Sequence, residues 1–344
     1  MKKQASLKKT LRILVIMLLV FAVAFAGYYY WLEGVYAKQN RAAVERDLLE
    51  LPAEGVSGDK IHFLNTGSSD AILLESDGHF ALVDSGEDTD NPTGKENLAL
   101  EGYEQYVLGY LKEHASNADG KVVLDFVLGT HCHSDHIGGF DTILLDPAVS
   151  VGTVYLKAYS TENKNSTELS WDNLEVYNQM LEAVNTRGFK LVQDIGSRSV
   201  TLGNMLVSFY NTEDRKAISG GENDNSVGTL VEVNGKRVFL AADINNWSGD
   251  EKRISKEIGE VDIVKAGHHS HFGSGSVYFG KGLSPQYLVV TSKKAHLINL
   301  SNYAIFARSE YFVTGETGGI IAQLNADGIS FYAIGDFDTQ EEPA

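Results

Sequence analysis

Thr130 to Gly139 read THCHSDHIGG. Three of the chain's ten histidines, one aspartate and two glycines fall in this stretch, directly after the apolar run VVLDFVLG (Val122–Gly129). That run predicts a buried strand, so the histidines leave a strand's carboxyl end. In a loop leaving a strand, alternate residues can point the same way. His131 and His133 can then share one metal ion while Asp135 and His136 turn toward a neighbour. Imidazole and carboxylate are the ligands that zinc and similar divalent ions take, with a position left open for water. A second cluster, GHHSH, carries His268, His269 and His271 after the apolar strand VDIVKAG, and Asp243 ends the strand pattern RVFLAAD. A hydrogen-bonded loop of surface histidines is the bland alternative. Three separate strand ends supplying the same ligand types argue against it.

Working outward, IHFLN, AILLES and HFALVDSG read as strands, the last two joined across Asp77-Gly78. LEGYEQYVLGYLKEH, from Leu100 to His114, reads as a helix. VGTVYL and MLVSFYN read as strands, WDNLEVYNQMLEAVNTRG as a helix stopped by Gly188, VGTLVEVNGKRVFLAAD as a hairpin about Asn234-Gly235, and DEKRISKEIG as a helix. Strand pairs and helices alternate twice over. That order predicts an α/β chain with helices covering the outer faces of two stacked sheets, and loops from both halves meeting along one edge. No internal repeat or low-complexity tract interrupts it.

The first residues differ in kind. From Ile13 to Leu32 no residue is charged, about the 20 residues a helix needs to cross a bilayer. Lys2, Lys3, Lys8, Lys9 and Arg12 precede it, which by the positive-inside bias keeps residues 1–12 cytoplasmic and the body outside. Ala24-Phe25-Ala26 resembles a signal-peptide cleavage site, in which case the body is secreted. Tyr28, Tyr29, Tyr30 and Trp31 favour the anchor, because aromatics collect at membrane interfaces. Residues 33–59 read as stalk and linker, and 60–344 as one catalytic domain. Its 43% hydrophobic content supplies a core. The formal charge is −17, and beyond Lys38 the acidic excess grows. Such a body offers no basic footprint for nucleic acid. Cys132 is the only cysteine, so no intramolecular disulfide forms. Nothing here fixes the oligomeric state.

The H-x-H-x-D-H run, the upstream Asp84 in L-V-D-S-G, Asp243 and the late His-His pair together resemble the metallo-β-lactamase superfamily of hydrolases over Ile61 to about Thr291. The resemblance implies a four-layer αββα sandwich with two divalent metal ions, zinc first and manganese second, at one edge. It implies His131 and His133 on the first ion, Asp135 and His136 on the second, and Asp243 bridging both. His268 or His269 completes the second site. Strand alternation past VDIVKAG favours His268, leaving His269 to support it. Asp84 resembles the acid that orients a ligand through its free N–H.

Many members carry a further ligand histidine before the bridging aspartate, yet residues 137–242 contain none. In its place stands ENDNSVGTLVEV. Asn225 and Ser226 in that setting resemble a branch that includes teichoic acid phosphorylcholine esterases and the β-lactamase-like domain of DNA-uptake channels. DAILLESDGHFALVDSGEDTD (Asp70–Asp90), VYLKAYS, WDNLEVY and NGKRVFLAADINN are similar to the esterases in particular. Asp224, Asn225 or water would then fill in at the first ion. The implied function is an exported, membrane-tethered phosphodiesterase or phosphoesterase acting on cell-envelope polymers or small molecules. A metal-bridging hydroxide attacks, positioned by Asp135 and Asp243. No choline-binding repeats follow the domain, so the anchor takes over localisation. An extracellular nuclease is one alternative, disfavoured by the acidic body. An inactive metal-binding scaffold or sensor is the other.

Several residues have plainer readings. Cys132 alternates away from its ligand neighbours and reads as a small buried side chain. His62 and His79 belong to the opening strands, and His114 ends a helix. His271 divides between substrate contact and loop filler. Trp171 and Trp247 read as core or groove wall before they read as a choline cage, which needs several rings together.

Overall fold

A computed structural model describes residues 2–89, 101–163, 167–213 and 220–335. Asp90, Leu100 and residues 336–344 of the expected domain lie outside the described residues. The chain opens on helix α1 (Lys2–Trp31), a π turn (Leu32–Tyr36) and α2 (Ala37–Asp47). Seven strands follow: β1 (Leu48–Glu50), β2 (Lys60–Leu64), β3 (Ile72–Ser76), β4 (His79–Val83), β5 (Val122–Gly129), β6 (Val149–Leu156) and β7 (Leu191–Val192). Among them come helices α3 (Glu104–His114), α4 (Ser134–Ile137), α5 (Phe140–Leu145) and α6 (Asn173–Arg187). The later half brings β8 (Ser199–Leu202), β9 (Met205–Tyr210), β10 (Gly228–Val233), β11 (Lys236–Leu240), β12 (Ile263–Lys265), β13 (Tyr287–Val290) and β14 (Glu310–Val313). It also carries α7 (Asp250–Ile258), α8 (Val277–Gly282), α9 (Leu297–Phe306) and α10 (Thr314–Thr317), and ends on β15 (Gly319–Asn325) and β16 (Gly328–Ala333).

The strands form two sheets, β1-β16-β15-β2-β3-β4-β5-β6-β7 and β14-β13-β12-β11-β10-β9-β8. Alternation along each strand divides its side chains between two cores. In β3, Ile72 and Leu74 enter the core between the sheets, while Leu73 faces outward against α3 and α5. Val207, Leu240 and Ile263 of the second sheet meet that inner core from the other side. Helices α7, α8 and α9 cover the outer face of the second sheet. The architecture is therefore the four-layer αββα sandwich. The hairpin turns fall where expected. Asp77-Gly78 and Asn234-Gly235 both take positive φ, as tight two-residue hairpin turns require, and Gly188 caps α6 in the left-handed region.

Strands β4 and β5 run parallel, as do β11, β12 and β13. Their carboxyl ends open on one edge of the sandwich, where side chains can converge without interrupting a ladder.

The N-terminal segment departs from the expected layout. Among the described residues, the helical stretch Lys8–Asp47, most of it α1, is the one long and apolar enough to cross a membrane, a test that a signal sequence also passes. The stretch read as stalk and linker is attached to the body. Leu32, Tyr36, Asn40 and Ala43 are buried. The Tyr36 hydroxyl donates to Ser309 O at 2.7 Å, Asn40 Nδ2 donates to Tyr311 O at 2.6 Å, and β1 pairs in parallel with β16. The spacing of these four positions is that of one helix face. Leu32, assigned to the span from its lack of charge, belongs to the body's packing. Tyr36→Ala should lower stability by about 3–5 kcal/mol, as losing a buried ring does, seen as a lower denaturant midpoint of the detergent-solubilised chain. Tyr29→Ala, on the exposed side of α1, should leave that midpoint within about 0.5 kcal/mol.

Candidate metal centre

The loop after β5 is held in place by the loop after β4. Asp84 takes a left-handed φ of 58°, and its carboxylate accepts from Thr130 N and the Thr130 hydroxyl, each at 2.8 Å, and from His136 Nδ1 at 2.7 Å. Ser85 N donates to His136 O at 2.7 Å. Gly139 lets the two loops touch: a Cβ there would lie 2.9 Å from Ser85 O.

Among the described residues three groups of ligand-type atoms converge at this edge, one of them, Asp70, Asp84 and His136, at its base; the other two share a carboxylate. Asp135, His136, Asp243 and His269 form one, His131, His133 and Asp243 the other, and Asp243 is common to both. Polar neighbours orient the rings. The His136 and His269 Nδ1 atoms face Asp84 and Thr291 O, the latter at 2.9 Å, so both donate there. Their Nε2 atoms then face each other across 3.2 Å. His131 Nδ1 lies 3.1 Å from the Thr130 hydroxyl, which already donates to Asp84, and His133 Nε2 lies 3.6 Å from Glu168. The remaining nitrogens, His131 Nε2 and His133 Nδ1, face each other at 3.0 Å. Facing lone pairs repel unless a cation stands between them. Buried Asp243 Oδ1 lies 3.2 Å from His136 Nε2 and 3.3 Å from His269 Nε2 yet has no hydrogen-bond partner of sound geometry. The donor set thus fits two divalent cations sharing one carboxylate.

The electrostatics agree with that fit. Burial opposes charge on His136, but Asp243, Asp135 and Asp84 outweigh it and raise its affinity for a proton well above the ordinary range. Burial also pushes Asp243 up, but His269, His136 and His268 hold it well below the usual carboxylate range. Glu87, at the mouth, is pushed up to about 9 by burial and by repulsion from Asp135 and Asp88. A pocket of about 330 Å³ opens over the centre, walled by Glu87, Trp171, Asn223 and His268.

The late histidine pair is reversed relative to the expectation. Buried His269, not His268, joins the cluster, with Nε2 3.3 Å from Asp135 Oδ2. His268 is partly exposed, 3.9 Å from Asp243 Oδ2 and 3.2 Å from Asn223 Nδ2. Strand alternation does not continue past Gly267, because His268, His269 and Ser270 all take positive φ, and this turn swaps which ring faces inward. Asn225 and Ser226 are buried, and Asp224 joins none of the ligand groups. The Asn225 main-chain carbonyl accepts from Lys157 Nζ at 3.0 Å, and its side-chain Oδ1 is buried without a hydrogen-bond partner. Asn223, two residues earlier, reaches the pocket. His271 stands at the lip, its ring 4.3 Å from that of His296, with its pKa drawn down to about 4 by burial and then by the His296 charge. Cys132 is buried. His62 pairs with Tyr110 and Glu75, and His79 with Asp125, away from the centre. Trp171 and Trp247 line separate pockets, so they form no common cage.

Sequence reasoning missed the base of the site. Buried Asp70, just before β3, lies 2.5 Å from Nζ of Lys265, which is fully enclosed at the end of β12. Asp70 also accepts from the Thr291 hydroxyl at 2.6 Å and approaches His269 Nδ1 at 3.4 Å. A lysine inside the apolar strand VDIVKAG was the available signal, since a buried charge requires a partner.

The sequence matches the family model described as the metallo-beta-lactamase superfamily over residues 64–274. The chain belongs to that superfamily, whose fold typically holds two metal ions. Comparison with curated protein sequences finds no match. Similar solved structures include the metallo-beta-lactamase fold protein YhfI from Bacillus subtilis, at 13% identity and a TM-score of 0.45, covering 74% of this chain and 96% of that one. Igni18, a metallo hydrolase from Ignicoccus hospitalis, is 13% identical with a TM-score of 0.43, covering 78% and 100%. Zn(2+)-bound PqqB from Methylobacterium extorquens is 14% identical with a TM-score of 0.39, covering 71% and 84%.

Lys265→Met alone should destabilise the protein by about 3–5 kcal/mol, because it strands the Asp70 carboxylate. Adding Asp70→Asn should restore most of that loss in urea unfolding. Equal stability of the single and double variants would show the pair to be uncoupled.

Proposed function

We propose that the chain is a membrane-anchored metal-dependent hydrolase of phosphodiester or phosphoester bonds, with its body on the outer side and zinc, or else manganese, at the paired sites. The observation that carries this reading is the pair of ligand groups joined through Asp243 beneath an open pocket. In the proposal His131, His133 and Asp243 hold one ion, and Asp135, His136, Asp243 and His269 the other. Two such ions would acidify water near neutral pH and polarise phosphoryl oxygens. Asp84 keeps His136 in the tautomer that presents Nε2, and Thr291 does the same for His269. Asp135 and Asp243 are the proposed acceptors for the proton released during attack. His268 and Asn223, which touch at 3.2 Å, face the pocket where a leaving group would sit. The ENDNSVG stretch supports placing the chain in the branch resembling phosphorylcholine esterases, and the acidic body speaks against a nuclease. The unbroken passage of α1 into the docked residues Leu32–Asp47 supports an anchor over a cleaved signal.

The full chain in detergent, loaded with zinc or manganese, should contain about two ions by elemental analysis. It should hydrolyse bis-p-nitrophenyl phosphate or p-nitrophenylphosphorylcholine in preference to a chromogenic β-lactam or single-stranded DNA. Fewer than one ion per chain, or a preference for the β-lactam, would sink the reading. Asp243→Ala should lose both ions and His269→Ala one. His268→Ala should keep both while its rate falls by the roughly 10²–10⁴ of a lost proton-transfer group. Asp84→Asn should weaken metal binding about 10–100-fold.

A further inference from the structure

Between Asp262 and Glu310 the sequence contains no aspartate or glutamate, in a chain that has 46 acidic residues. The same stretch exposes Lys281, Lys293, Lys294 and Arg308. Most of the large apolar side chains left exposed beyond residue 50 also fall here, from Phe272 to Phe306, with Trp247 earlier in the chain. Ile298 and Ile305, seven residues apart, share one face of α9, and Phe306 adjoins it; all three are about half exposed. At one end of the helix Ile298 lines a groove of about 300 Å³ with Trp247 and Phe272. At the other, Ile305 lines a cavity of about 560 Å³ with Trp31 and Arg308, at the foot of α1. The apolar stripe thus runs from the end of the apolar N-terminal helix to the lip of the metal centre, where Phe272 O lies 3.2 Å from His268 Nδ1.

Exposed apolar residues in a patch mark an interaction surface. Aromatic and branched aliphatic residues beside Lys281, Lys294 and Arg308 suit the interface of an anionic bilayer; Lys293 pairs with Glu101 at 3.0 Å, and Glu310 lines the cavity next to Arg308. The patch is also continuous with the helix that would enter that bilayer. We infer that this face rests on the surface of the lipid bilayer that α1 enters, with anionic headgroups as its partner, so that the metal centre opens at headgroup level. Its substrate class is then the phosphate-bearing headgroup of a membrane lipid. The substrate half of the inference rests on the proposed hydrolase, whereas the docking half does not.

The buried Cys132 is the only cysteine, so single surface cysteines can be spin-labelled selectively. The full chain carrying Ile298→Cys, Phe306→Cys or, as control, Val123→Cys is reconstituted into vesicles of phosphatidylcholine with phosphatidylglycerol. Val123 is exposed near the start of β5, at the opposite end of that strand from the metal centre. Labels at 298 and 306 should be several-fold less accessible to an aqueous nickel chelate than the label at 123, and more accessible to oxygen. Equal nickel accessibility at all three positions overturns the docking. Failure of the chain to float with the vesicles overturns it too, through the span and not through the hydrolase. A triple variant Ile298→Ser, Ile305→Ser, Phe306→Ser should lose at least about tenfold in rate on phosphatidylcholine in the vesicles and keep its rate on bis-p-nitrophenyl phosphate. Equal rates on both substrates overturn the headgroup assignment. Shielded labels on a chain that cleaves no phosphodiester support docking while the hydrolase reading fails.

Discussion

Asp70 and Lys265 meet at 2.5 Å with almost no exposed surface, one from the first sheet and one from the second. Their attraction spans the seam of the sandwich at the edge that carries the site. A buried charge is stable only with a partner and saturated hydrogen bonding. This pair meets the requirement with the Thr291 hydroxyl on Asp70 and Ala242 O, 3.0 Å away, accepting from Lys265. Ala242 precedes Asp243 in the loop after β11, and Thr291, in the loop after β13, holds His269 through its carbonyl at 2.9 Å. The position of one sheet's edge against the other, and with it the distance between the two histidine clusters, therefore depends on this contact.

Above that pair, Asp84, Asp135, Asp243 and Glu87 crowd round four imidazoles. Carboxylates this close raise the affinity of the shared space for positive charge, whether a proton or a metal ion. The same field holds His136 toward its charged form and pushes Glu87 toward its neutral one. His131 departs from the pattern: burial, then the charges on His136 and His133, keep it well below its ordinary range. A neutral ring offers a lone pair, which is what a ligand requires. The centre thus combines one ring held neutral by burial, His131, with carboxylates that draw positive charge toward the others.

Local chemistry was legible in the sequence, and long-range geometry was not. The loop from Thr130 to Gly139 announced itself because its ligand types, its preceding strand and its glycines are neighbours in the chain. The hairpins at Asp77-Gly78 and Asn234-Gly235 were legible for the same reason. His269 rather than His268 lies with the ligand-type atoms because three left-handed residues in succession break the alternation that a strand would have continued. The docking of residues 32–50 was hidden by the polar composition of α2, although Leu32, Tyr36, Asn40 and Ala43 mark one helix face. Asp70 could not be located without Lys265, since 195 positions separate them and only the folded sheets bring them together.

The distribution of charge follows the same edge. Carboxylates belonging to the centre come from Asp70, Asp84, Asp135 and Asp243, all before residue 263, whereas the later loops supply imidazoles, hydroxyls and Lys265. The centre's negative charge is therefore internal and compensated, while the outer surface beside it exposes Lys281, Lys294 and Arg308, with Lys293 paired to Glu101. At physiological ionic strength a surface field decays over about 8 Å, so the acidic remainder of the body does not cancel this face at contact range. Near an anionic lipid surface the molecule would be repelled in most orientations and accepted in the one that presents α9. Apolar burial of Ile298, Ile305 and Phe306 would then add a short-range attraction that salt does not screen. Orientation and adhesion arise from different forces acting on the same residues, which is why one helix beside the site can serve both.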